Sequence, residues 1–157
     1  MYERKKSFWA WICSLAIVFA VGGVSYLLTG KAAMESYGRM PKPPLSPPGW
    51  LFPVVWTVLY GLMSISAWRI WRKEGICKAL EPYALQLLLN GAWIPVFFRL
   101  GLYWAAFVLL IVLEGIILWM IAAFRRVDKT AGNLQIPYAL WAAFAGYLNA
   151  AAALMKK

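Results

Sequence analysis

The chain has 157 residues, of which 63% are hydrophobic and 14% are charged, with a formal net charge of +10. A soluble domain of this size carries charge on about a quarter of its residues, so this composition excludes a soluble globular protein. The sequence contains no histidine, which excludes a Ser-His-Asp triad, a histidine-bound metal and a histidine-ligated haem. The basic residues lie at the ends of apolar stretches instead of forming one stripe, so we expect no nucleic-acid partner.

Five apolar stretches follow one another along the chain, and Glu114 is the only charged residue within them. They are Phe8–Leu28, Trp50–Trp68, Pro82–Phe98, Leu100–Phe124 and Ala131–Met155. A bilayer core about 30 Å thick is crossed by about 20 helical residues, and each stretch is close to that length or exceeds it. We therefore predict an all-α membrane protein with a single domain over residues 1–157. It is expected to be a bundle of five transmembrane helices at about 8–28, 50–71, 82–98, 102–124 and 131–155.

The distribution of basic residues predicts the orientation of this bundle in the membrane. The first apolar run is longer than a signal-peptide core of about 7–15 residues, so we interpret it as a retained helix. With the N-terminus inside, ten of the 16 Lys and Arg residues lie on the cytoplasmic side and six lie outside. This asymmetry predicts a cytoplasmic N-terminus and an external C-terminus, and it is typical of a bacterial cell membrane.

The connection between the first two helices, roughly residues 29–49, contains five of the nine prolines. They are Pro41, Pro43, Pro44, Pro47 and Pro48. Prolines at this density enforce an extended backbone and prevent helix formation. A rigid extended segment beside a helix end can act as a lid or as a simple spacer, and composition alone favours neither. Pro95 and Pro137 lie inside later apolar stretches, where they predict local kinks.

Most of the ten tryptophans lie near the ends of the apolar stretches, as in the aromatic belts of membrane proteins. Four lie deeper, namely Trp56, Trp93, Trp119 and Trp141. An indole N–H in hydrocarbon requires a hydrogen-bond partner or a ligand. At a helical rise of about 1.5 Å per residue, three of these indoles (Trp56, Trp93 and Trp141) and the amide of Asn90 can meet in the outer half of the bundle.

Helical spacing places aromatic and amide side chains on common faces of three helices. The faces are Trp56, Tyr60 and Met63 in the second helix, Gln86, Asn90, Trp93 and Phe97 in the third, and Tyr138, Trp141, Ala145 and Asn149 in the fifth. Uncharged amides in hydrocarbon are expected inside a bundle, where they line a pocket or only bridge helices. The aromatic faces favour a lined pocket. Glu114 is a lone intramembrane carboxyl that is either functional or protonated and paired with a neighbouring polar group.

Three long motifs resemble the translocator protein / tryptophan-rich sensory protein family (TspO/MBR). They are KPPLSPPGWLFPVVWTVLY at 42–60, LQLLLNGAWIPVFF at 85–98 and PYALWAAFAGYLN at 137–149. The resemblance extends over almost the full length of the chain. It implies a five-helix bundle, usually a homodimer in the lipid bilayer, that binds tetrapyrroles such as protoporphyrin and other aromatic hydrophobic ligands.

The resemblance also implies which residues bind the ligand, in a pocket under the first loop. The matching positions are Trp56, Asn90, Trp93, Tyr138, Trp141 and Ala145, together with the loop prolines Pro43, Pro47 and Pro48. Tyr60 and Phe97 share the helix faces of these residues and join the predicted site. No cofactor is required, because porphyrin is the ligand. The sterol-recognition pattern of animal members is absent, since no basic residue follows Tyr147 until Lys156.

We interpret the chain as a membrane receptor or sensor of tetrapyrroles, involved in porphyrin metabolism or stress signalling. Paired carboxylates in one membrane site are missing, so we predict no acid–base catalytic residues. One alternative is a light-dependent enzyme that degrades porphyrin, with Trp56 and Trp141 as its photochemical residues. The other alternative is a small-molecule transporter, which the lack of an inverted repeat disfavours.

Overall fold

The computed structural model describes residues 2–40 and 42–156, and this part of the chain is helical with no strand. Six α-helices follow in order: α1 (Tyr2–Arg39), α2 (Leu51–Glu74), α3 (Glu81–Ile94), α4 (Tyr103–Val127), α5 (Lys129–Asn133) and α6 (Ile136–Met155). A 3₁₀ turn over Lys78–Leu80 precedes α3, and a π-helical turn over Pro95–Arg99 continues it. The all-α prediction is confirmed.

The first helix continues well beyond the predicted end at residue 28 and stops at Arg39. The prediction that the first connection begins near residue 29 was therefore wrong. Residues 31–37 contain good helix formers and no proline, so the helix continues past Gly30. Pro43, Pro44, Pro47 and Pro48 do lie in the non-helical segment that precedes α2, whereas Pro41 falls outside the described residues.

Proline positions explain how the later helices are divided. At Pro95 the α-helix changes into a π-helical turn, since proline lacks the N–H of the α-helical ladder. The helix is therefore irregular at the position where a kink was predicted. The predicted fifth helix is split into α5 and α6 by a turn at residues 134–135. Pro137 therefore occupies the first turn of α6, where proline is tolerated, instead of kinking a continuous helix.

By length and composition, three helical segments of the described chain can cross a bilayer. They are Leu51–Glu74, Tyr103–Val127 and the combined α5–α6 stretch Lys129–Met155, and α1 contains a shorter apolar stretch, Trp11–Val24. Large apolar side chains such as Leu88, Val108 and Leu140 are exposed on the outer surface. An apolar exterior of this kind is what a bilayer solvates.

The bundle is organised around α4, which packs against α3 and α6, while α1 packs against α2 and α3. Buried side chains of α2 and α4, including Met63, Ile70, Ile117 and Phe124, form the centre of the core. The amides predicted to lie inside the bundle are also buried, which confirms that prediction: Gln86, Asn90 and Asn149.

One buried carboxylate fixes the end of the bundle where α2 ends and α5 begins. Asp128 accepts salt bridges from Arg69 and Lys73 of α2, each with a nitrogen–oxygen distance of 2.9 Å. The same carboxylate caps α5 by accepting the Ala131 N–H at 3.0 Å. Ser66 Oγ donates to the Ala131 carbonyl at 2.6 Å, so α2 is tied to the α4–α5 junction by both charge and hydrogen bonds.

Candidate functional site

A cavity of about 360 Å³ lies between α1, α2 and the end of α3, and it extends to Gly49 in the first connection. Its volume falls in the range of small-molecule sites, about 300–1,000 Å³. Seven aromatic side chains line the cavity and give it its chemical character: Phe19, Tyr37, Phe52, Trp56, Tyr60, Trp93 and Phe98. We call this space the aromatic cavity.

Helical spacing on α2 brings three of these rings to one wall. Phe52, Trp56 and Tyr60 follow one another at intervals of four, so their side chains share a helix face. The rings of Trp56 and Tyr60 have centroids 5.4 Å apart, and Phe19 meets Tyr60 edge-on at 6.0 Å. A Cβ on Gly22 would lie 2.6 Å from the Tyr60 ring. Glycine at this position therefore lets the tyrosine close the cavity against the backbone of α1.

A chain of buried hydrogen bonds runs behind the aromatic cavity and links α2, α3 and α6. The Tyr60 hydroxyl donates to Asn90 Oδ1 at 3.4 Å, and Asn90 Nδ2 donates to the Tyr138 hydroxyl at 2.9 Å. The Tyr138 hydroxyl in turn donates to Gln86 Oε1 at 2.9 Å. We call these four residues the amide–tyrosine network. Asn90 and Tyr138 border a void of only about 10 Å³ and do not line the aromatic cavity.

Trp93 is placed where two spaces meet, because it lines both the aromatic cavity and a smaller one of about 50 Å³. Its indole N–H donates to Asn149 Oδ1 at 3.1 Å, which supplies the partner expected for a deep indole. Asn149 Nδ2 donates to the Tyr103 carbonyl at 2.8 Å. Phe97 and Ala145, two further predicted site residues, line the smaller cavity.

The structure does not bring Trp141 into the aromatic cavity. Its indole lies in a groove between α2 and α6, and Phe52 stands beside it with ring centroids 5.8 Å apart. The cause is the orientation of α6, whose small residues Ala142 and Ala145 face α4 across the void behind Trp56. Trp56 and Trp141 therefore line different spaces, although helical phase and depth predicted that they would meet.

The loop prolines differ in their surroundings. Pro43 is buried and lines the smaller cavity, whereas Pro48 is exposed. The carbonyl of Pro47, which is buried, accepts a hydrogen bond from the Tyr37 hydroxyl. Tyr147 of α6 donates to the Pro44 carbonyl at 3.0 Å. Hydrogen bonds to both α1 and α6 thus hold the segment over the end of the bundle.

Several cavity residues were missed by sequence reasoning. Tyr37 lies in the part of α1 that was assigned to the loop, so its helical position was not anticipated. Phe52 could have been found, since it precedes Trp56 by one helical turn on the predicted face. Glu114 lines neither the aromatic cavity, the smaller cavity, the groove beside Trp141 nor the void beside Asn90. Its Oε2 atom is buried without a hydrogen-bond partner among the described residues.

Comparison with known proteins identifies the family to which this site belongs. The sequence profile of the TspO/MBR family matches residues 14–155. Tryptophan-rich protein TspO of Chlorobaculum tepidum is 35% identical over 139 residues, which cover 86% of this chain and 88% of that protein. Tryptophan-rich sensory protein of Cereibacter sphaeroides is 41% identical over 115 residues, 73% of each chain. Translocator protein of Homo sapiens is 35% identical over 118 residues, 72% of this chain and 70% of its own. The chain is a member of the TspO/MBR family of membrane proteins.

Proposed function

We propose that this protein is an integral membrane receptor that binds a flat tetrapyrrole, such as protoporphyrin, in the aromatic cavity. The observation that carries the proposal is a cavity of about 360 Å³ walled by indole, phenol and phenyl rings from three helices. A conjugated macrocycle presents a large apolar face, and stacking on aromatic side chains stabilises such a face. Other aromatic hydrophobic molecules would bind in the same cavity by the same stacking contacts. In the cell the receptor would report on porphyrin metabolism or stress.

Charge at the loop end supports a ligand that carries carboxylates. Lys42 borders the smaller cavity, and its ammonium lies 5.5 Å from the centroid of the Tyr37 ring. Within the aromatic cavity, Tyr37 already donates its hydroxyl proton to Pro47, and Thr57 donates its own to Pro53. These hydroxyls cannot also donate to a carboxylate. The carboxylates of a tetrapyrrole would therefore point toward Lys42, and the apolar edge of the macrocycle would lie deepest in the aromatic cavity.

We infer that five helical segments cross the membrane: α1, α2, α3 with its π-helical turn, α4, and α5 with α6. The N-terminus would lie in the cytoplasm of a bacterial cell and the C-terminus outside, and two copies would form a homodimer.

Fusing alkaline phosphatase after residue 157 tests the orientation, because this reporter is active only outside the cytoplasm. We expect an active C-terminal fusion and an inactive fusion in the loop at residue 76. The reverse pattern would invert the proposed topology.

Replacing Trp56 by alanine tests the ligand site. We expect the dissociation constant for protoporphyrin to rise about tenfold, since one stacked aromatic contributes about 1–3 kcal/mol and each 1.4 kcal/mol is a factor of ten. Quenching of the remaining tryptophans by added protoporphyrin measures the affinity. The matched control is Trp119→Ala, because this indole lies on the outer surface of α4 and is 48% exposed. The Trp119→Ala variant should bind protoporphyrin with the same affinity as the wild type.

Trp141→Ala separates the aromatic cavity from the groove between α2 and α6. We expect less than a twofold change, because Trp141 does not line the aromatic cavity and adjoins it through the ring of Phe52. A loss of affinity in Trp141→Ala with none in Trp56→Ala would place the ligand in the groove and refute the proposed site.

A further inference from the structure

We propose that the junction of α4 and α5 binds the phosphate of an anionic phospholipid. Three basic residues, Arg125, Arg126 and Lys129, lie exposed within five positions of one another, and we call them the cationic elbow. The sequence places Asp128 among them, which suggests a locally balanced charge. The fold turns this carboxylate inward, where it is 4% exposed and is neutralised by Arg69 and Lys73. Across the described residues, Arg126 and Lys129 form no salt bridge, so the outer face of the elbow is purely cationic.

Arg125 is held in one orientation before any anion arrives. Its Nε and one terminal nitrogen donate to Asn133 Oδ1 at 2.9 and 2.7 Å. The aliphatic stem of Arg125 lies directly over Gly132, where a Cβ would approach its Cγ to 2.4 Å. Gly132 thus leaves room for the Arg125 side chain to pack against α5, and Asn133 fixes the orientation of the planar guanidinium. A preorganised guanidinium binds phosphate with less loss of conformational entropy than a free one does.

The surroundings of the elbow identify the anion as a lipid. The helices that meet here, α4 and the α5–α6 stretch, are both long and apolar enough to cross a bilayer. Along α4, Trp119, Ala122 and Arg126 recur at helical spacing and are all exposed. An apolar surface therefore leads directly from hydrocarbon to the cations. Leu118 (55% exposed) precedes Ala122 by one helical turn and widens this surface. A phospholipid matches both features, because its phosphate can bind the cationic elbow while its acyl chains cover the apolar surface. A soluble phosphate matches only the cationic elbow.

Simple attraction between a basic surface and an anionic membrane is the competing explanation, and Asn133 distinguishes the two. Its replacement by alanine changes no charge, so diffuse electrostatics predicts unaltered lipid binding. If the elbow is a built site, loss of the restraint on Arg125 weakens binding about two- to tenfold. Arg126→Gln removes one cation from the site and should weaken binding about fivefold. Lys78→Gln removes an exposed cation from the same end of the bundle but outside the elbow, and it should change binding less than twofold.

Native mass spectrometry of the full chain, released from micelles containing phosphatidylglycerol or phosphatidylcholine, measures these affinities. The wild type is expected to retain phosphatidylglycerol preferentially, and the thermal stability of each variant in phosphatidylcholine verifies its fold. Arg126 is exposed and, within the described part of the chain, has no hydrogen bond or salt bridge to lose. Its variant therefore keeps the test valid if Asn133→Ala is unstable. Equal weakening by Lys78→Gln and Arg126→Gln, or unchanged binding in a folded Asn133→Ala, would overturn the site. Displacement of the lipid by millimolar inorganic phosphate would also overturn it, because the site would then recognise a soluble anion.

Discussion

Replacing Asp128 by alanine is expected to lower the free energy of unfolding by about 3 kcal/mol and the melting temperature by about 10 °C. Asp128→Asn is expected to cost about 2 kcal/mol, since asparagine still caps a helix. The carboxylate is 3% exposed and joins Arg69 and Lys73 of α2 to the start of α5. Removing one partner of a buried ion pair normally costs about 3–5 kcal/mol. Here the charge contribution is smaller, because Arg69 and Lys73 are 31% and 47% exposed and can be hydrated.

Thermal unfolding in detergent micelles measures both variants, and Glu74→Ala is the matched control. Glu74 is an exposed acidic residue at the end of α2, one position from Lys73, and its replacement should leave the melting temperature within about 1 °C. Equal melting temperatures for the wild type and Asp128→Ala would contradict the proposed role of this carboxylate.

The stability that Asp128 provides should also depend on pH in a defined direction. Burial alone would raise the pKa of Asp128, but hydrogen bonds from Lys73, the Ala131 N–H and Arg69 outweigh it and hold the pKa well below its ordinary value of 3.8. A carboxyl with a depressed folded pKa stabilises the fold fully above its unfolded pKa, and the stabilisation is lost as the pH falls through the folded value. The difference in stability between the wild type and Asp128→Asn should therefore be constant above about pH 5 and shrink below about pH 4.

Features with a strong local signal could be predicted from the sequence. The apolar stretches marked the helices, and the change at Pro95 followed from the missing N–H of proline. Helical phase placed Gln86, Asn90 and Asn149 inside the bundle, because an amide in hydrocarbon must face other protein groups. These inferences needed only the chemistry of one helix at a time.

The features that were missed depend on how helices are oriented relative to one another. Trp141 shares a helix face with Tyr138 within the accuracy of a wheel diagram, but the packing of Ala142 against α4 turns the indole toward α2. The inward orientation of Asp128 depends on partners located more than fifty positions earlier, at Arg69 and Lys73. The continuation of α1 to Arg39 was missed for another reason, since a run of polar and small residues was interpreted as loop although no proline occurs before Pro41.

Tyr138→Phe should destabilise the bundle by about 2 kcal/mol while keeping the shape of its core. The hydroxyl accepts from Asn90 and donates to Gln86, and both amides are buried with it. Its removal leaves the Asn90 Nδ2 donor and the Gln86 Oε1 acceptor unpaired in the buried interior. An unpaired buried group costs about 1–3 kcal/mol in a soluble protein, so two would cost about 2–6 kcal/mol. Hydrogen bonds inside membrane bundles are weaker and average about 0.6 kcal/mol each. We therefore expect a total of about 2 kcal/mol, between these two limits. Tyr147→Phe is the matched control, since that tyrosine is exposed on the same helix and makes one bond to Pro44.

The same variant decides what the buried amides do. If the amide–tyrosine network only bridges helices, Tyr138→Phe lowers the unfolding temperature while the dissociation constant for protoporphyrin changes less than about twofold, because Tyr138 does not line the aromatic cavity. If Asn90 and Tyr138 instead contact the ligand, the affinity falls by about fivefold or more and the stability loss is secondary. Equilibrium unfolding and fluorescence quenching on one preparation give both quantities. The bridging geometry leads us to expect the first result, and a large loss of affinity at unchanged stability would contradict it.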